Sequence, residues 1–572
     1  MDESSFNLMR ETWIPVTMVA DGSQQEMSLL ETILQSESIR SIDGDIPLQR
    51  FALTRLLIAV MYGLLPQGCS PEDWNDLFNR GPSDADVAEG IREYCGSVSH
   101  RFNLFDDDEP FYQVAGLHTA KHEVSGLERL VLDVPSGEPM FTTRIGEGLQ
   151  SMSAAEAARW LVTTQACDVS GIKSGAVGDD RVKGGKGYPI GVAWCGHLGG
   201  LLVEGSNLWQ TLMLNFVGES VLGNADSGMD WADDKPIWER AQPTQEASVG
   251  FEQDAESVAH TSYFHGPATL LTWQARRIRL AHQGNTVTGV LICNGDRLKP
   301  QNANPFEMMT AWRRSEAQQK ALKRPLIYMP RKHNPDRALW RGLPNLTADQ
   351  DTVRGGKESD YLRPYSLKWL TKVGKESMPV RLHAFGIEYG NQEAVVDSAV
   401  DDILDINLVV VTSDNPRMKQ MLEQAVKVAD QGVLALRNLA SDIALAEGVP
   451  PDPIRQRAGE IGYTAFDRSF RRWVMNIHDD HHLDQLYGQW CAIAKQLLLR
   501  LGRDYLSHVS AQAIVGRKTV KLNPKSGEMQ ERYQSAPWAD MRFRGALNSI
   551  FSDVVPEQTI GAKRISSDLE EE

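Results

Sequence analysis

No C-x-x-C pair occurs in the chain, and its six cysteines (Cys69, Cys95, Cys167, Cys195, Cys293 and Cys491) are scattered. This spacing excludes a zinc knuckle and offers no disulfide framework, so a reduced, cytoplasmic protein with no structural metal or other cofactor is expected. The N-terminus, Met1-Asp2-Glu3, is acidic and lacks the apolar centre of a signal peptide. Long hydrophobic runs are missing too. The longest, near Leu56 to Leu65, is too short and too interrupted to span a bilayer, so no membrane partner is expected. The chain also has no surplus of positive charge. At a net charge of −17 it repels phosphates at long range, which speaks against a free-standing, non-specific nucleic-acid binder but leaves room for a local basic surface.

Enzyme signatures are equally scarce. There is no Gly-x-Ser-x-Gly elbow, no His-Glu-x-x-His helix, and no G-x-G-x-x-G after a strand. Gly171-Ile172-Lys173-Ser174-Gly175 sets Lys-Ser behind a glycine, but a P-loop would need a glycine where Cys167 stands. Asp106-Asp107-Asp108-Glu109 has no further ligand at metal spacing and reads as a solvated turn.

What is present begins with size. A chain of 572 residues, 41% hydrophobic and 24% charged, is globular and too long for one core. Its most unusual stretch lies between Ala166 and Gly187, where six glycines share the backbone with Lys173, Arg181, Lys183 and Lys186. Glycine lets main chain approach a ligand with no Cβ in the way, and lysine beside it favours a polyanion. A helical run, Ser153 to Thr164, leads in, and a strand-like run, Ile190 to Cys195, leads out.

Around this loop the expectations are as follows. Phe6–Met9 and Trp13–Val16 read as an opening strand pair, and Pro47 to Leu64 as a buried helix. Ala268 to Leu280 and Val287 to Cys293 read as strands about a Gln283-Gly284-Asn285 turn, and Val380 to Tyr389 as a strand entering a Gly390-Asn391-Gln392 hairpin tip. Lys323 to Arg341 interleaves cations with Tyr328 and Trp340, a pattern that suits nucleic acid as well as a plain surface loop. After Asp414-Asn415-Pro416 four amphipathic stripes predict helices, with Arg517 to Lys525 as a basic loop before the last. The fold class is therefore α+β: a mixed α/β N-terminal domain over 1–412, a four-helix bundle over 413–560, and an acidic, disordered tail over 561–572.

Several pieces also fall in one order: Asn7-Leu8 with Trp13-Ile14-Pro15-Val16, Glu109-Pro110-Phe111-Tyr112-Gln113, the glycine loop at 171–175, Tyr389-Gly390-Asn391-Gln392, and the C-terminal helices. Taken together they resemble the large subunit (CasA) of the type I-E CRISPR surveillance complex, Cascade. The resemblance implies a non-catalytic subunit that recognises a protospacer-adjacent motif in double-stranded DNA, promotes strand separation, and helps recruit a nuclease-helicase. Its partners would be the other Cascade subunits, CRISPR RNA, target DNA and that nuclease-helicase. The motif-reading loop would fall on Val169, Ser170, Gly171 and Lys173, and the wedge on Asn391 and Gln392. A further minor-groove cation would be Arg297 or Lys299, and Phe141 would face the guide RNA. Two departures stand out: the cysteine cluster of some relatives is absent, and position 170 is Ser where the family loop is often glycine.

Two other readings compete. One is a metal-dependent nuclease or hydrolase built on His478-Asp479-Asp480-His481-His482, although consecutive residues converge poorly on one ion. The other is a purely structural scaffold.

Overall fold

In the computed structural model, which describes residues 5–65, 69–132, 134, 149–218, 233–247, 265–347, 353–354, 357–375, 377–522 and 529–552, strand β1 (Ile14–Met18) comes first. It pairs antiparallel with β2 (Gln24–Met27), and after helix α1 (Leu29–Leu34) its other edge takes β3 (Ile39–Ile42). Phe6–Met9 is not a strand: Asn7 makes a single bridge to Asn103, and the chain turns at once. Trp13 anchors the segment instead: buried, it donates its indole N–H to the Leu8 carbonyl at 2.8 Å.

Helix α2 (Pro47–Leu64) is buried on nearly every side, as an apolar run with few polar breaks requires. Pro47 sits at its first turn, where the missing N–H would have been unpaired anyway. Helices α3 (Pro71–Arg80) and α4 (Ala85–Val98) follow, capped by Ser70 and Asp84. Helix α5 (Ala154–Cys167) starts at Ser153, whose hydroxyl accepts from the Glu156 N–H, and runs to the glycine loop.

Beyond the loop, strand β4 (Gly199–Glu204) buries all six residues and helix α6 (Leu208–Asn215) packs beside it. Strands β5 (Arg276–Gln283) and β6 (Thr286–Asn294) form the expected hairpin, with Gly284 at φ 58° in the turn. Pro267–Leu271 is a helical turn and not strand. Asp234 caps it by accepting from the Ala268 and Thr269 N–H groups at 2.9 and 2.8 Å, so the signal lies 34 residues away from the segment it shapes.

Strands β7 (Pro379–Tyr389) and β8 (Val396–Asn407) complete an antiparallel sheet of order β8–β7–β4, with Arg381 opposite Glu204 and Phe385 opposite Gly200. Phe51 of α2 stacks on Phe385 at 5.0 Å, which seats the buried helix on this sheet. Deeper still, Arg55 donates two hydrogen bonds to Glu307, both 2.9 Å, and the Trp194 indole adds a third at 2.6 Å. The long strands thus carry the hairpin tip on a rigid stem.

A cross-strand ion cluster reinforces that stem. His383 holds Glu204 through Nδ1 at 2.7 Å and Asp401 through Nε2 at 2.5 Å, while Arg50 donates to Glu204 at 2.8 Å. Burial pulls the His383 pKa down, but the hydrogen bonds to Asp401 and Glu204 outweigh it and the net direction is up. A base whose folded pKa is raised contributes stability below its unfolded value and loses it as pH rises through the folded value. His383→Gln is therefore expected to flatten the fall in thermal midpoint expected of the parent protein as pH rises above the ordinary histidine value of about 6.5. Parallel melting curves for the two proteins across that range would refute this.

The chain divides into two units, Met1–Thr412 and Ser413–Glu572. In the second, α7 (Pro416–Glu447) is capped by Asn415 and ends at Gly448 with φ 83°. It is followed by α8 (Pro451–Met475), α9 (Leu483–Ser507) and, last, α10 (Ala536–Ile550). Phe466, Phe470, Trp473 and Trp490 bring their rings within 5.0–5.8 Å of one another, and Trp490 donates to the Ala425 carbonyl at 2.9 Å. Each such buried ring contributes about 1.5–3 kcal/mol. One expectation fails here: the basic stretch before α10 is a two-stranded ribbon, β9 (Arg517–Leu522) with β10 (Met529–Gln534), and not a plain loop. The acidic tail at 561–572 lies outside the described residues. Among the described residues no helix is long and apolar enough to cross a membrane.

Candidate nucleic-acid interface

Helix α5 ends at Cys167, and the next residue, Asp168, is the buried root of the glycine loop. Its carboxylate takes the Arg276 Nε–H at 2.5 Å and the Lys173 ammonium at 2.6 Å. Burial raises the Asp168 pKa, but Lys173 and Arg276 lower it more, so the carboxyl is held ionised. The same guanidinium donates to the Val169 and Gly191 carbonyls, both at 2.9 Å, and the Ala193 N–H donates to the Asp168 carbonyl at 2.9 Å. Both feet of the loop are thereby fixed to one buried cation. This also explains why Ile190–Cys195 is not the predicted strand. Gly191 adopts φ 103°, the backbone groups there are satisfied by Arg276 and Asp168, and a short 3-10 turn follows at Trp194–His197.

Inside the loop, Lys173–Ser174 pairs antiparallel with Lys186–Gly187 and lies parallel to β6 at Cys293. Lys173 is not the free cation its sequence suggests. Its ammonium is committed to Asp168, and burial holds its pKa below the ordinary lysine value. Val169 is half-buried and Ser170 buried, and Gly171 takes φ 130°, a left-handed conformation that side chains resist.

The hairpin tip meets this loop. The Ser170 N–H donates to the Glu393 carbonyl at 2.8 Å, and a Cβ at Gly171 would lie 4.0 Å from that of Ala394. Tyr389 ties the stem to the same place by donating its hydroxyl to the Cys167 carbonyl at 2.8 Å. At the tip Asn391, Gln392 and Glu393 are all exposed, and Gln392 and Glu393 hold φ 55° and 56°. Non-glycine residues at positive φ cost of order 1–3 kcal/mol each and tend to mark functional tips. Behind the paired tips is a cavity of about 170 Å³ lined in part by Arg129, Val131, Asp168, Val169, Lys173 and Val396.

Of the other predicted residues, Arg297 is exposed and Lys299 half-buried in the segment after β6. Phe141 lies outside the described residues. Asp168, Arg276 and Tyr389 position the two tips, a role that the sequence does not display for any of them. Tyr389 stands in the hairpin-tip motif and Asp168 heads the glycine-rich stretch, but neither position shows its partner. At the competing site, His478, His481 and His482 are exposed, and the His481 N–H donates to Asp479 in a local turn. Among the described residues no three metal-ligating side chains converge anywhere, so no observation favours the hydrolase reading.

Fold and sequence place the chain among CRISPR-associated proteins. It superposes on the crystal structure of Thermobifida fusca Cse1 with a TM-score of 0.83 at 37% identity, over 96% of this chain and 99% of that one. Cse1 from Acidimicrobium ferrooxidans gives 0.78 at 26% identity, over 97% and 100%. A curated CasA/Cse1 from Thermus thermophilus is 28% identical over 505 residues, 84% of this chain and 89% of that protein. The family model described as CRISPR-associated protein Cse1 matches residues 7–501, and the chain belongs to that family. The resemblance to the large subunit of type I-E Cascade, read from the order of its motifs, is borne out.

Proposed function

We propose that this chain is the subunit of a CRISPR RNA-guided surveillance complex that reads the protospacer-adjacent motif and begins strand separation. The observation that carries the reading is the 2.8 Å bond from the Ser170 N–H to the Glu393 carbonyl, because it sets the glycine loop and the amide-bearing tip side by side. Main chain at Val169–Gly171 then approaches the minor groove. There A·T and T·A pairs look nearly alike, so a backbone reader tolerates several related motifs. Asn391 and Gln392 press on the adjoining base step, and each amide offers both a donor and an acceptor to bases as they unpair. Unstacking a step costs a few kcal/mol, which guide RNA pairing and protein contacts offset. The division of labour is simple: protein reads the motif, guide reads the sequence. Sibling subunits and CRISPR RNA would supply the remaining surface, and the nuclease-helicase would do the cutting, with no catalysis by this chain.

The test is strand opening by the assembled complex, followed with a fluorescent base beside the motif. Gln392→Ala adds no backbone cost, since both residues sit equally poorly at φ 55°. Initial duplex binding should persist while opening slows by about tenfold or more, a barrier increase of about 1.4 kcal/mol. Opening at the parental rate would remove Gln392 from the wedge role. If Gly171→Asp also left binding intact, the scaffold reading would stand instead.

A further inference from the structure

Each foot of the glycine loop carries a cysteine. Cys167 closes helix α5, and Cys195 lies in the 3-10 turn Trp194–His197 that packs against this helix. Main-chain contacts draw the two together. The Ala193 N–H donates to the Asp168 carbonyl at 2.9 Å, and the Gly196 N–H closes the turn on the Ala193 carbonyl at 3.0 Å. The Tyr389 hydroxyl donates to the Cys167 carbonyl at 2.8 Å, and a Cβ added at Gly196 would clash with that same hydroxyl. One tyrosine oxygen thus touches main chain at Cys167 and beside Cys195. Their side chains meet as well: the Cys167 thiol hydrogen-bonds the Cys195 sulfur. Both thiols are free and buried, 0% and 5% exposed.

That bond makes the two sulfurs unequal. The donor, Cys167, is held well above the ordinary thiol range by the bond itself and then by burial. The acceptor, Cys195, is held below it, because the same bond, helped by the Arg55 guanidinium, outweighs burial. Thiolate, not thiol, is the nucleophile. Arg55 and Cys195 also line one cavity of about 20 Å³, together with Gln165 and Ala166. A space of that size holds about one water, so it admits a molecule close to water in size and excludes a peptide disulfide. The other four cysteines are held as thiols. Burial pushes Cys69, Cys95 and Cys293 up to about 12, and raises Cys491 too.

We propose that Cys195 and Cys167 form a peroxide-reactive dithiol whose disulfide locks the root of the glycine loop. The Cys195 thiol first gives its proton to solvent, and the thiolate attacks one oxygen of hydrogen peroxide. A sulfur–oxygen bond forms, the oxygen–oxygen bond breaks, and the departing hydroxide takes the Cys167 proton to become water. The Cys167 thiolate then attacks the Cys195 sulfenic acid. The disulfide forms, the sulfur–oxygen bond breaks, and the second hydroxide leaves as water with the proton lost at the start. Two thiols give up two electrons in all, and one peroxide is reduced to two waters. Disulfides in reducing compartments are usually transient and redox-sensing, and a pair bracketing one loop suits that use. The chemistry is independent of whether the loop reads DNA.

The test treats the purified full-length chain with hydrogen peroxide, alkylates the remaining thiols under denaturing conditions, and maps the peptides without reduction. One linked pair, Cys167 to Cys195, is expected, lighter by two hydrogens than the two free peptides and split again by dithiothreitol. Cys195 should be consumed at least about tenfold faster than Cys69, Cys95, Cys293 or Cys491, which are recovered alkylated. In Cys167→Ala the sulfenic acid should persist at Cys195 and be captured by dimedone, whereas Cys195→Ala should give neither a disulfide nor a capture at Cys167. Recovery of both thiols alkylated from the treated parent chain, which carries no substitution and so no folding defect, overturns the proposal. So does oxidation of Cys195 at the same rate as the other four, and dimedone capture at Cys167 in place of Cys195 assigns the roles wrongly and overturns the mechanism.

Discussion

Gly171→Asp should abolish duplex binding by the assembled complex while leaving assembly intact. Two effects act together. At φ 130° an L side chain is strained, and holding the loop there costs about 1–3 kcal/mol. The carboxylate would also project from a half-buried tip beside Ala394, where phosphates would have to approach. Strain alone is isolated by Gly171→Ala, which should weaken binding by about tenfold, equal to about 1.4 kcal/mol. Charge and bulk in the aspartate variant should carry the loss to at least about 100-fold. Among the described residues beyond its chain neighbours, the nearest atom to the added Cβ is the Ala394 Cβ at 4.0 Å, so the thermal midpoint should move little. Binding measured by anisotropy, with size-exclusion chromatography to verify assembly, decides the matter. Parental affinity in the aspartate variant, or failure of assembly together with binding, would contradict the expectation.

How far the sequence foretold this arrangement depends on how local each signal is. Helix α2 was legible because Pro47 and a long apolar run both sit inside it. The β5–β6 hairpin was legible from its Gln-Gly-Asn turn, and the β7 stem from its apolar run ahead of Gly390. The ribbon β9–β10 was not, because its exposed residues, Val520 and Tyr533 among them, show none of the alternation that a half-buried strand carries. The helical turn at Pro267–Leu271 was hidden for another reason: its cap, Asp234, belongs to a different segment. Lys173 shows the limit most clearly. A sequence displays a charge but not its partner, and the guanidinium that shares Asp168 with it lies 108 residues from that aspartate. A glycine loop and a hairpin tip could therefore be located along the chain, while the buried ions that hold the two together could not be read.

Those ions make the largest stability prediction. Asp168 is the acid that Arg276 and Lys173 share, at 2.5 and 2.6 Å, in a buried site. Asp168→Ala leaves two buried cations facing each other, and breaking a buried pair by removing one partner costs about 3–5 kcal/mol. The thermal midpoint should fall by several degrees, and duplex binding should fail because Val169 and Gly191 lose their fixed donor. Lys173→Met is expected to be far milder, since Asp168 and Arg276 still neutralise each other and the methylene stem is replaced by a similar apolar one. The double variant should be more stable than Asp168→Ala alone, because one of the two stranded cations is gone. Such non-additivity is the signature of a shared site. Lys173→Met also tests the role its position first suggests. If the ammonium is committed to Asp168, removing it leaves the salt dependence of duplex binding unchanged. A slope reduced by about 1 would instead show that Lys173 reaches a phosphate, and the buried triad would then not persist in the DNA-bound complex.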